Sequence, residues 1–270
     1  MLSFPNCKIN LGLFVTRRRA DGYHDLATVF YPLPLHDALE IVPATGATRL
    51  HLSGHTLQGN PEDNLVWKAW QLLHTAYPQQ VPPVDIYLHK KIPAGAGLGG
   101  GSADGACMLT LLNDRYHLGL DKKQLSACAL QLGSDCPFFI HNTPQYATGR
   151  GELMTPVPID LSPYSIQLIC PELHVSTAAA FRAITPQPAP FDLRRLHTLP
   201  VTEWKTVLRN DFEAPVFKMH STLQTIREQM YEQGALYTSM TGSGSAFYGV
   251  FSKGQKAGIE LEVAFKEFSI

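Results

Sequence analysis

The sequence predicts an α+β fold, in which mixed sheets have helices packed on them. Strand-like and helix-like segments follow one another in an irregular order, which a doubly wound parallel sheet would not give. The segments show no repeat of fixed period. The chain has 270 residues, of which 44% are hydrophobic and 17% charged, so a sizeable core can form.

The predicted strands follow from the alternation of apolar and polar residues. Residues 7–15 set Ile9 and Leu11 on one face and Lys8 and Asn10 on the other, which predicts a half-buried strand. The other predicted strands cover residues 26–35, 38–42, 48–52, 84–88, 138–140, 165–170, 236–240 and 246–251.

The predicted helices follow from helical spacing of apolar residues and from capping signals. Asp63 is the predicted N-cap of a helix that ends near residue 77, and Asp121 with Gln124 predicts a capping box for a helix that ends at Gly133. Further helices are predicted over residues 103–116, 211–233 and 254–266. Residues 143–158 and 185–200 are predicted to be irregular connections, and the first of them separates two predicted domains, residues 1–144 and 145–270.

The composition argues against several classes of protein. There are 22 Lys and Arg residues against 23 Asp and Glu residues, so the net charge of -1 does not favour a nucleic-acid-binding protein. Five cysteines without a C-x-x-C pair make a disulfide framework or a zinc cluster improbable and suit a reducing cytoplasm. The N-terminal residues do not resemble a signal peptide, and no apolar run approaches the ~18 residues that span a bilayer.

A glycine-rich stretch, Ile92-Pro-Ala-Gly-Ala-Gly-Leu-Gly-Gly-Gly-Ser, precedes the helix predicted over residues 103–116. Glycine accepts backbone conformations that other residues avoid and keeps side chains out of the way. A glycine loop that opens a helix directs several free N–H groups and the positive end of the helix dipole at one place. The stretch therefore predicts a phosphate-binding loop.

Other glycine loops compete for this stretch. Gly95, Gly97 and Gly100 fit the dinucleotide pattern G-x-G-x-x-G, but the strand before them alternates and is not continuously apolar. Gly101 stands where a P-loop requires its lysine. The partner motifs of a protein kinase are absent from the sequence. A glycine-rich turn without a ligand is the remaining alternative.

Three motifs resemble those of the GHMP small-molecule kinases, a family that includes galactokinase, homoserine kinase and mevalonate kinase. They are K-I-N-L-G-L at residues 8–13, the glycine loop, and T-G-S-G-S-A-F-Y-G-V-F at residues 241–251. The loop departs from the family pattern at Ala103, where a second serine is common, and the helix departs at Gly105, where alanine is usual. The resemblance implies a two-domain fold with an active site in the cleft between the domains.

R-A-D-G-Y-H-D-L at residues 19–26, L-G-S-D-C-P-F-F at residues 132–139 and N-D-F-E at residues 210–213 resemble one branch of this family in particular. That branch transfers a phosphoryl group from ATP, with Mg²⁺, to the 2-hydroxyl of a cytidine-diphosphate-linked methylerythritol, in the non-mevalonate route to isoprenoid precursors. Another GHMP alcohol kinase, a non-catalytic nucleotide-binding protein and a dinucleotide oxidoreductase remain alternatives. The resemblance implies a small-molecule partner, neither nucleic acid nor membrane, and a monomer or weak homodimer.

The resemblance also implies roles for individual residues. Asp135 matches the catalytic aspartate, since an alcohol nucleophile needs a group that orients it and takes its proton. Lys8 matches the active-site lysine, and Asn10 is a predicted partner for substrate hydroxyls. From the residues alone, Asp135 could equally be a solvated turn residue, and Lys8 reads as a solvent-facing lysine.

Further implied roles concern the two substrates. Tyr23 and His24 match residues that hold the cytosine, and Phe181 aligns with an aromatic residue on the other side of that ring. Ser102 could cap the helix, contact phosphate or approach magnesium, whereas Asp104 is predicted to complement the helix dipole in the first turn. Gly242, Ser243, Gly244 and Ser245 are predicted to form a second glycine turn that packs against the phosphate loop. The predicted nucleotide-binding residues are Pro93, Ala94, Gly95, Ala96, Gly97, Leu98, Gly99, Gly100, Gly101, Ser102 and Ala103.

Overall fold

The computed structural model describes residues 1–56 and 59–270. Its strands, β1 to β12, are in chain order Leu2–Ser3, Asn6–Arg18, His24–His36, Ala38–Pro43, Arg49–Gly54, Val84–Lys90, Gln145–Gly149, Leu153–Pro156, Tyr164–Pro171, Tyr237–Met240, Phe247–Ser252 and Phe265–Ser269. Its α-helices, α1 to α8, are Leu65–Ala76, Gly100–Tyr116, Lys122–Leu132, Cys136–His141, Thr177–Arg182, Trp204–Val207, Glu213–Met219 and Ser221–Glu232. Short 3-10 helices cover Pro61–Asp63, Leu193–Thr198 and Val201–Glu203. The mixture of sheets and helices confirms the predicted α+β class.

The chain forms two units that are interleaved in sequence. The first unit consists of residues 1–7, 34–94 and 99–143, and the second of residues 8–33, 95–98 and 144–270. The predicted boundary between residues 144 and 145 lies beside the last crossing of the chain from one unit to the other. The assignment of residues 1–144 and 145–270 as two domains stays a prediction.

The first unit contains a sheet with the order β1-β4-β6-β5, in which only the β5–β6 pair is parallel. Its core combines the inward residues of β4 and β6 with apolar residues of α1, α2 and α3. Helix α2 packs closely on α1 at Gly105, where an added Cβ would lie 2.9 Å from Cβ of Leu65. This contact explains why glycine replaces the expected alanine at residue 105.

The second unit contains an antiparallel sheet with the order β10-β11-β9-β12. Its core is formed by this sheet together with α7 and α8, which contribute Val216, Leu223, Ile226 and Met230. Most of β2 and β3 also belongs to this unit, in a second sheet with the order β2-β3-β7-β8. Residues 8–15 of β2 are all buried, so the predicted half-buried strand is wrong: both of its faces are covered.

Most of the predicted strands are confirmed, but four segments differ from the prediction. Residues 138–140 lie in helix α4 and not in a strand, because Pro137 occupies the first turn of that helix, where proline is tolerated. The predicted connection over residues 143–158 contains the antiparallel pair of β7 and β8. The long helix predicted over residues 211–233 is divided into α7 and α8 at His220.

The helix predicted over residues 254–266 is also wrong, since the segment ends in β12. This strand pairs antiparallel with β9 along residues Phe265 to Ser269. Strand β9 offers a row of backbone donors and acceptors at its outer edge, and pairing with them outweighs the local helical spacing.

The predicted N-cap is present at helix α3 and differs at helix α1. The capping box of Asp121 and Gln124 is confirmed at the start of α3. Helix α1 begins one residue later than predicted, and its N-cap is Asn64, whose Oδ1 accepts a 3.1 Å hydrogen bond from the Val66 amide. Asp63 instead ends a short 3-10 helix.

We predict that Asn64→Ala lowers the free energy of unfolding by about 1 kcal/mol, because the Val66 amide loses its acceptor. The matched variant Asp63→Ala removes an exposed side chain and changes the free energy of unfolding by less than about 0.5 kcal/mol. Urea denaturation measures both values. Equal losses in the two variants would show that Asn64 is not the cap.

Candidate active site

The glycine-rich stretch adopts the geometry of a loop that opens a helix. Gly95, Gly97 and Gly99 have φ angles of 70°, 81° and 72°, in the left-handed region that favours glycine. Helix α2 begins at Gly100, three residues before the predicted start, so the last two glycines and Ser102 form its first turn. Because Gly99 provides no side-chain cap, the first amides of α2 are available to an external acceptor.

In the second unit, the middle of this loop touches the third motif. A Cβ at Gly97 would lie 2.0 Å from the carbonyl oxygen of Thr241, and one at Gly242 would lie 3.0 Å from Cα of Gly97. The amide of Ala246 donates to the carbonyl oxygen of Ala96 at 3.1 Å. The predicted packing of the second glycine turn against the phosphate loop is therefore present at residues 96 and 97.

Lys8 and Asn10 lie beneath this contact and are buried, with exposed fractions of 3% and 2%. The Lys8 ammonium donates to Oδ1 of Asn10 at 2.7 Å and to the carbonyl oxygen of Gly97 at 3.0 Å. It also lies 5.0 Å from the centre of the Phe30 ring. Lys8 is thus not the solvent-facing lysine that the alternation alone would favour.

The Asn10 side chain joins the first and third motifs. Its Nδ2 donates to Oγ1 of Thr28 at 2.9 Å, and its Oδ1 accepts from Lys8 and from the amide of Gly242 at 3.0 Å. The Thr241 hydroxyl lies 3.2 Å from the same Oδ1. We call Lys8, Asn10, Thr241 and the Gly97 carbonyl the Asn10 network. Since both ends of the amide have protein partners, a substrate hydroxyl would have to share them.

The N-D-F-E motif holds the other side of the third motif, a role that sequence reasoning missed. Asn210 is buried and donates to the carbonyl oxygens of Met240 and Gly242 at 2.7 and 2.9 Å. Glu213 accepts from the Met240 amide at 2.8 Å and from the Ser239 hydroxyl at 2.7 Å. In the sequence, this role is indicated only by the polar residues Asn210 and Glu213 on either side of Phe212.

Asp135 lies in the first unit, immediately before helix α4. It is partly buried, and its side chain does not cap that helix. The next residue, Cys136, is buried, which raises the pKa of its thiol to about 12, and the nearby Ser102 hydroxyl offsets part of this rise. Ser102 in the first turn of α2 and Asp135 at the start of α4 therefore both adjoin Cys136.

The aromatic residues with a predicted role in base binding lie in the second unit. The rings of His24 and Phe181 stack on each other, with centroids 4.9 Å apart and an interplanar angle of 16°. Phe181 also makes an edge contact with Phe212. Tyr23 is 57% exposed, and the Arg150 guanidinium lies 5.0 Å from the centre of its ring. Phe181 and His24 thus form one stacked surface, and no base fits between these two rings as they stand.

Asp104 does not complement the helix dipole, so that prediction is wrong. It lies in the second turn of α2 and is 1% exposed, and its Oδ2 accepts a 2.6 Å hydrogen bond from the Lys90 ammonium. Lys90 also donates to Oδ2 of Asp37. We call Lys90, Asp37 and Asp104 the Lys90 cluster. Burial raises the pKa of Asp104 to about 7.

No group of three or more His, Cys, Asp or Glu side chains within residues 1–56 and 59–270 could hold a metal ion. None of the helices in that part of the chain is long and apolar enough to cross a membrane.

Two family models match the chain. The model described as the GHMP kinases N terminal domain matches residues 64–143, and the model described as GHMP kinases C terminal matches residues 201–268. Together they cover more than half of the chain.

Several curated proteins and a solved structure are similar to this chain over nearly its whole length. The 4-diphosphocytidyl-2-C-methyl-D-erythritol kinase of Bacteroides fragilis is 48% identical over 98% of this chain and 97% of its own length. The enzyme of the same name from Porphyromonas gingivalis is 46% identical over 93% of this chain and 92% of its own. A crystal structure of 4-(cytidine 5'-diphospho)-2C-methyl-D-erythritol kinase superimposes with a TM-score of 0.78 and 34% identity, covering 93% of this chain and 90% of that one.

We predict that Gly97→Ala strongly destabilises the second unit, by about 3 kcal/mol or more, because its Cβ would overlap the Thr241 carbonyl in a left-handed backbone conformation. The matched variant Gly101→Ala, in the same glycine run, meets no atom within 4 Å and has no positive φ, so its stability stays within about 1 kcal/mol of the parent. Urea denaturation followed by circular dichroism compares the two. A Gly97→Ala protein as stable as Gly101→Ala would contradict the close approach.

Proposed function

Because the chain belongs to the GHMP kinase family, and within it to the 4-diphosphocytidyl-2-C-methyl-D-erythritol kinases, we propose that it phosphorylates the 2-hydroxyl of 4-(cytidine 5'-diphospho)-2-C-methyl-D-erythritol with ATP. The products are the 2-phosphate and ADP. The observation that carries this proposal is the 48% identity to an enzyme of that name along nearly the whole of both chains. The branch-specific motifs around Tyr23, Asp135 and Asn210 are all present.

The proposed position of the ATP phosphates is the loop from Pro93 to Ala103. Three left-handed glycines turn the backbone so that helix α2 starts inside the loop, with its first amides uncapped. Such amides and the positive end of a helix of 17 residues attract phosphate oxygens. The loop carries no lysine between Pro93 and Ala103, so its own contribution is made by backbone groups and the Ser102 hydroxyl.

The proposed general base is Asp135. Phosphoryl transfer asks mainly for positioning and charge stabilisation, and the acceptor hydroxyl needs a carboxylate that orients it and accepts its proton. Asp135 lies directly before the first turn of α4, and its side chain does not cap that helix. The Gly133 C-cap and Pro137 fix the chain on either side of it.

The proposed role of Lys8 is to supply positive charge to the reacting groups. It is buried, and its ammonium is oriented by hydrogen bonds to Oδ1 of Asn10 and to the carbonyl oxygen of Gly97. An ammonium in such surroundings acts at close range on a phosphate or on a developing alkoxide. The proposed role of Asn10 is to orient this ammonium, with any contact to substrate hydroxyls made through shared hydrogen bonds.

The proposed cytosine-binding residues are Tyr23, His24 and Phe181. The exposed Tyr23 ring offers a face for stacking, and the His24 ring offers nitrogen atoms at its edge. Because Phe181 already stacks on His24, its proposed role is to hold that ring in orientation when the base stacks on Tyr23. This assignment differs from the simple sandwich that the resemblance implies.

Mg²⁺ is proposed to enter with the nucleotide. Magnesium commonly keeps several waters and uses one or two protein oxygens together with phosphate oxygens, so a preformed group of three protein ligands is not required. Ser102 and Asp135 both adjoin Cys136 and offer one hydroxyl and one carboxylate, a donor set that suits this ion. When bound, the ion would neutralise phosphate charge. We further propose a soluble cytoplasmic enzyme that is a monomer or a weak homodimer.

A panel of acceptors tests the proposed substrate. We expect ATP-dependent ADP release with the cytidylylated methylerythritol and kcat/KM at least about a hundredfold lower with free methylerythritol, homoserine or mevalonate, which lack the base. A coupled assay for ADP measures the rates. Faster turnover of mevalonate or homoserine would favour the other reading, a GHMP kinase for a different alcohol.

We predict that Asp135→Asn lowers kcat by about a hundredfold or more, because the amide cannot accept the proton of the hydroxyl. ATP affinity should stay within about threefold of the parent, because the loop from Pro93 to Ala103 is unchanged. Steady-state kinetics and titration calorimetry with ATP give the two values. A variant with near-normal kcat would remove Asp135 from the role of base.

A further inference from the structure

We infer that Lys90, held by Asp37 and Asp104, is a positioning residue that ties the beginning of the phosphate loop to helix α2 and thereby sets the affinity for ATP. The inference rests on the proposed binding of ATP phosphates by residues 93–103. All three side chains of the Lys90 cluster belong to the first unit and are at most 3% exposed.

Asp37 fixes the chain where it leaves strand β6. Its Oδ1 accepts hydrogen bonds from the amides of Lys91 and Ile92, at 2.6 and 2.8 Å. These are the two residues before Pro93, at which the loop begins. Asp37 itself follows directly after β3, and its amide donates to the carbonyl oxygen of Pro5 at 2.9 Å. The start of the loop is thus attached to the first unit through one carboxylate.

Lys90 links this attachment to the helix at the other end of the loop. Its ammonium bonds to Oδ2 of Asp37 and, at 2.6 Å, to Oδ2 of Asp104 in the second turn of α2. Gly100 makes room for the link, since a Cβ there would lie 2.8 Å from Cγ2 of Ile92 and 3.4 Å from Nζ of Lys90. One buried ammonium therefore spans the loop from its entry to its exit.

The second oxygen of Asp104 is a cost to stability, because a buried oxygen without a hydrogen bond has lost its water and gained no partner. Its Oδ1 is buried and has no hydrogen-bond partner within the described residues. With both carboxylates ionised the cluster carries one net negative charge in a buried place, an arrangement that a pair of well-packed apolar residues often replaces without loss of stability. Such a cluster is better explained by what it orders. Loop ends fixed before ATP arrives reduce the conformational entropy lost on binding.

Two substitutions at Asp104 separate the bridge from the charge. Asp104→Leu and Asp104→Asn both remove the ionisable carboxyl group and keep a similar shape, and both leave Lys90 paired with Asp37. Only the asparagine keeps an oxygen that can accept from Lys90. We expect ATP affinity to fall about tenfold in Asp104→Leu, the size of a lost hydrogen bond to a charged group, and to stay within about threefold in Asp104→Asn.

Titration calorimetry with ATP alone gives these affinities and needs no acceptor. It therefore tests the role of the Lys90 cluster even if the acceptor panel shows a different substrate. Steady-state kinetics should place the loss for Asp104→Leu in KM for ATP, with kcat at saturating ATP within about threefold of the parent. Thermal unfolding should give similar midpoints for the two variants.

Three results would overturn the inference. The first is wild-type ATP affinity in Asp104→Leu. The second is an equal loss of affinity in both variants, which would make the charge and not the bridge responsible. The third is failure of Asp104→Leu to fold while Asp104→Asn folds, which would show that the cluster serves stability only.

Discussion

A single buried amide, the side chain of Asn10, is the interaction on which the arrangement of the second unit's motifs depends. Its oxygen receives hydrogen bonds from Lys8 and from the backbone of Gly242, and its nitrogen donates to Thr28. A buried polar group of this kind is costly unless all its bonds are made, so it permits one arrangement of its neighbours and penalises others. The ammonium of Lys8, the loop at Gly97 and the third motif are oriented together for this reason.

The glycine loop and the start of helix α2 can bind anionic groups through their backbone. Backbone amides at the start of α2 can hold anionic oxygens without a lysine in the loop, and the glycines are required because both the conformation and the space exclude a Cβ. The close approach of the two backbones at Gly97 and Thr241 holds the loop and the third motif together without space for a side chain at residue 97. Asn210 of the N-D-F-E motif holds the third motif through hydrogen bonds to the carbonyl oxygens of Met240 and Gly242.

The sequence predicted the fold class, most of the strands and the glycine loop, because alternation and glycine content are local signals. It did not predict α4, because three apolar residues after Pro137 suit a strand as well as a helix. It did not predict β12, whose partner β9 lies about a hundred residues earlier. The burial of Lys8 and Asn10 could not be predicted either, because residues far along the chain cover that face of β2. Thr241 and Tyr248, which bond to Asn10, follow it by more than 230 positions. Asp104 was predicted to complement the helix dipole, because the sequence does not show that Lys90 and Asp37 become its neighbours in the folded first unit.

The interleaving of the chain has a consequence for its biosynthesis. The hydroxyl of Tyr248 donates to the backbone of Asn10 across 238 positions, so β2 cannot acquire its permanent surroundings until the ribosome has made almost the whole polypeptide. At roughly 5–20 residues per second, that interval is on the order of tens of seconds. During it, the apolar residues Ile9, Leu11, Leu13, Phe14 and Val15 are without their final cover. The apolar face of β2 is therefore exposed on the nascent chain until translation is nearly complete.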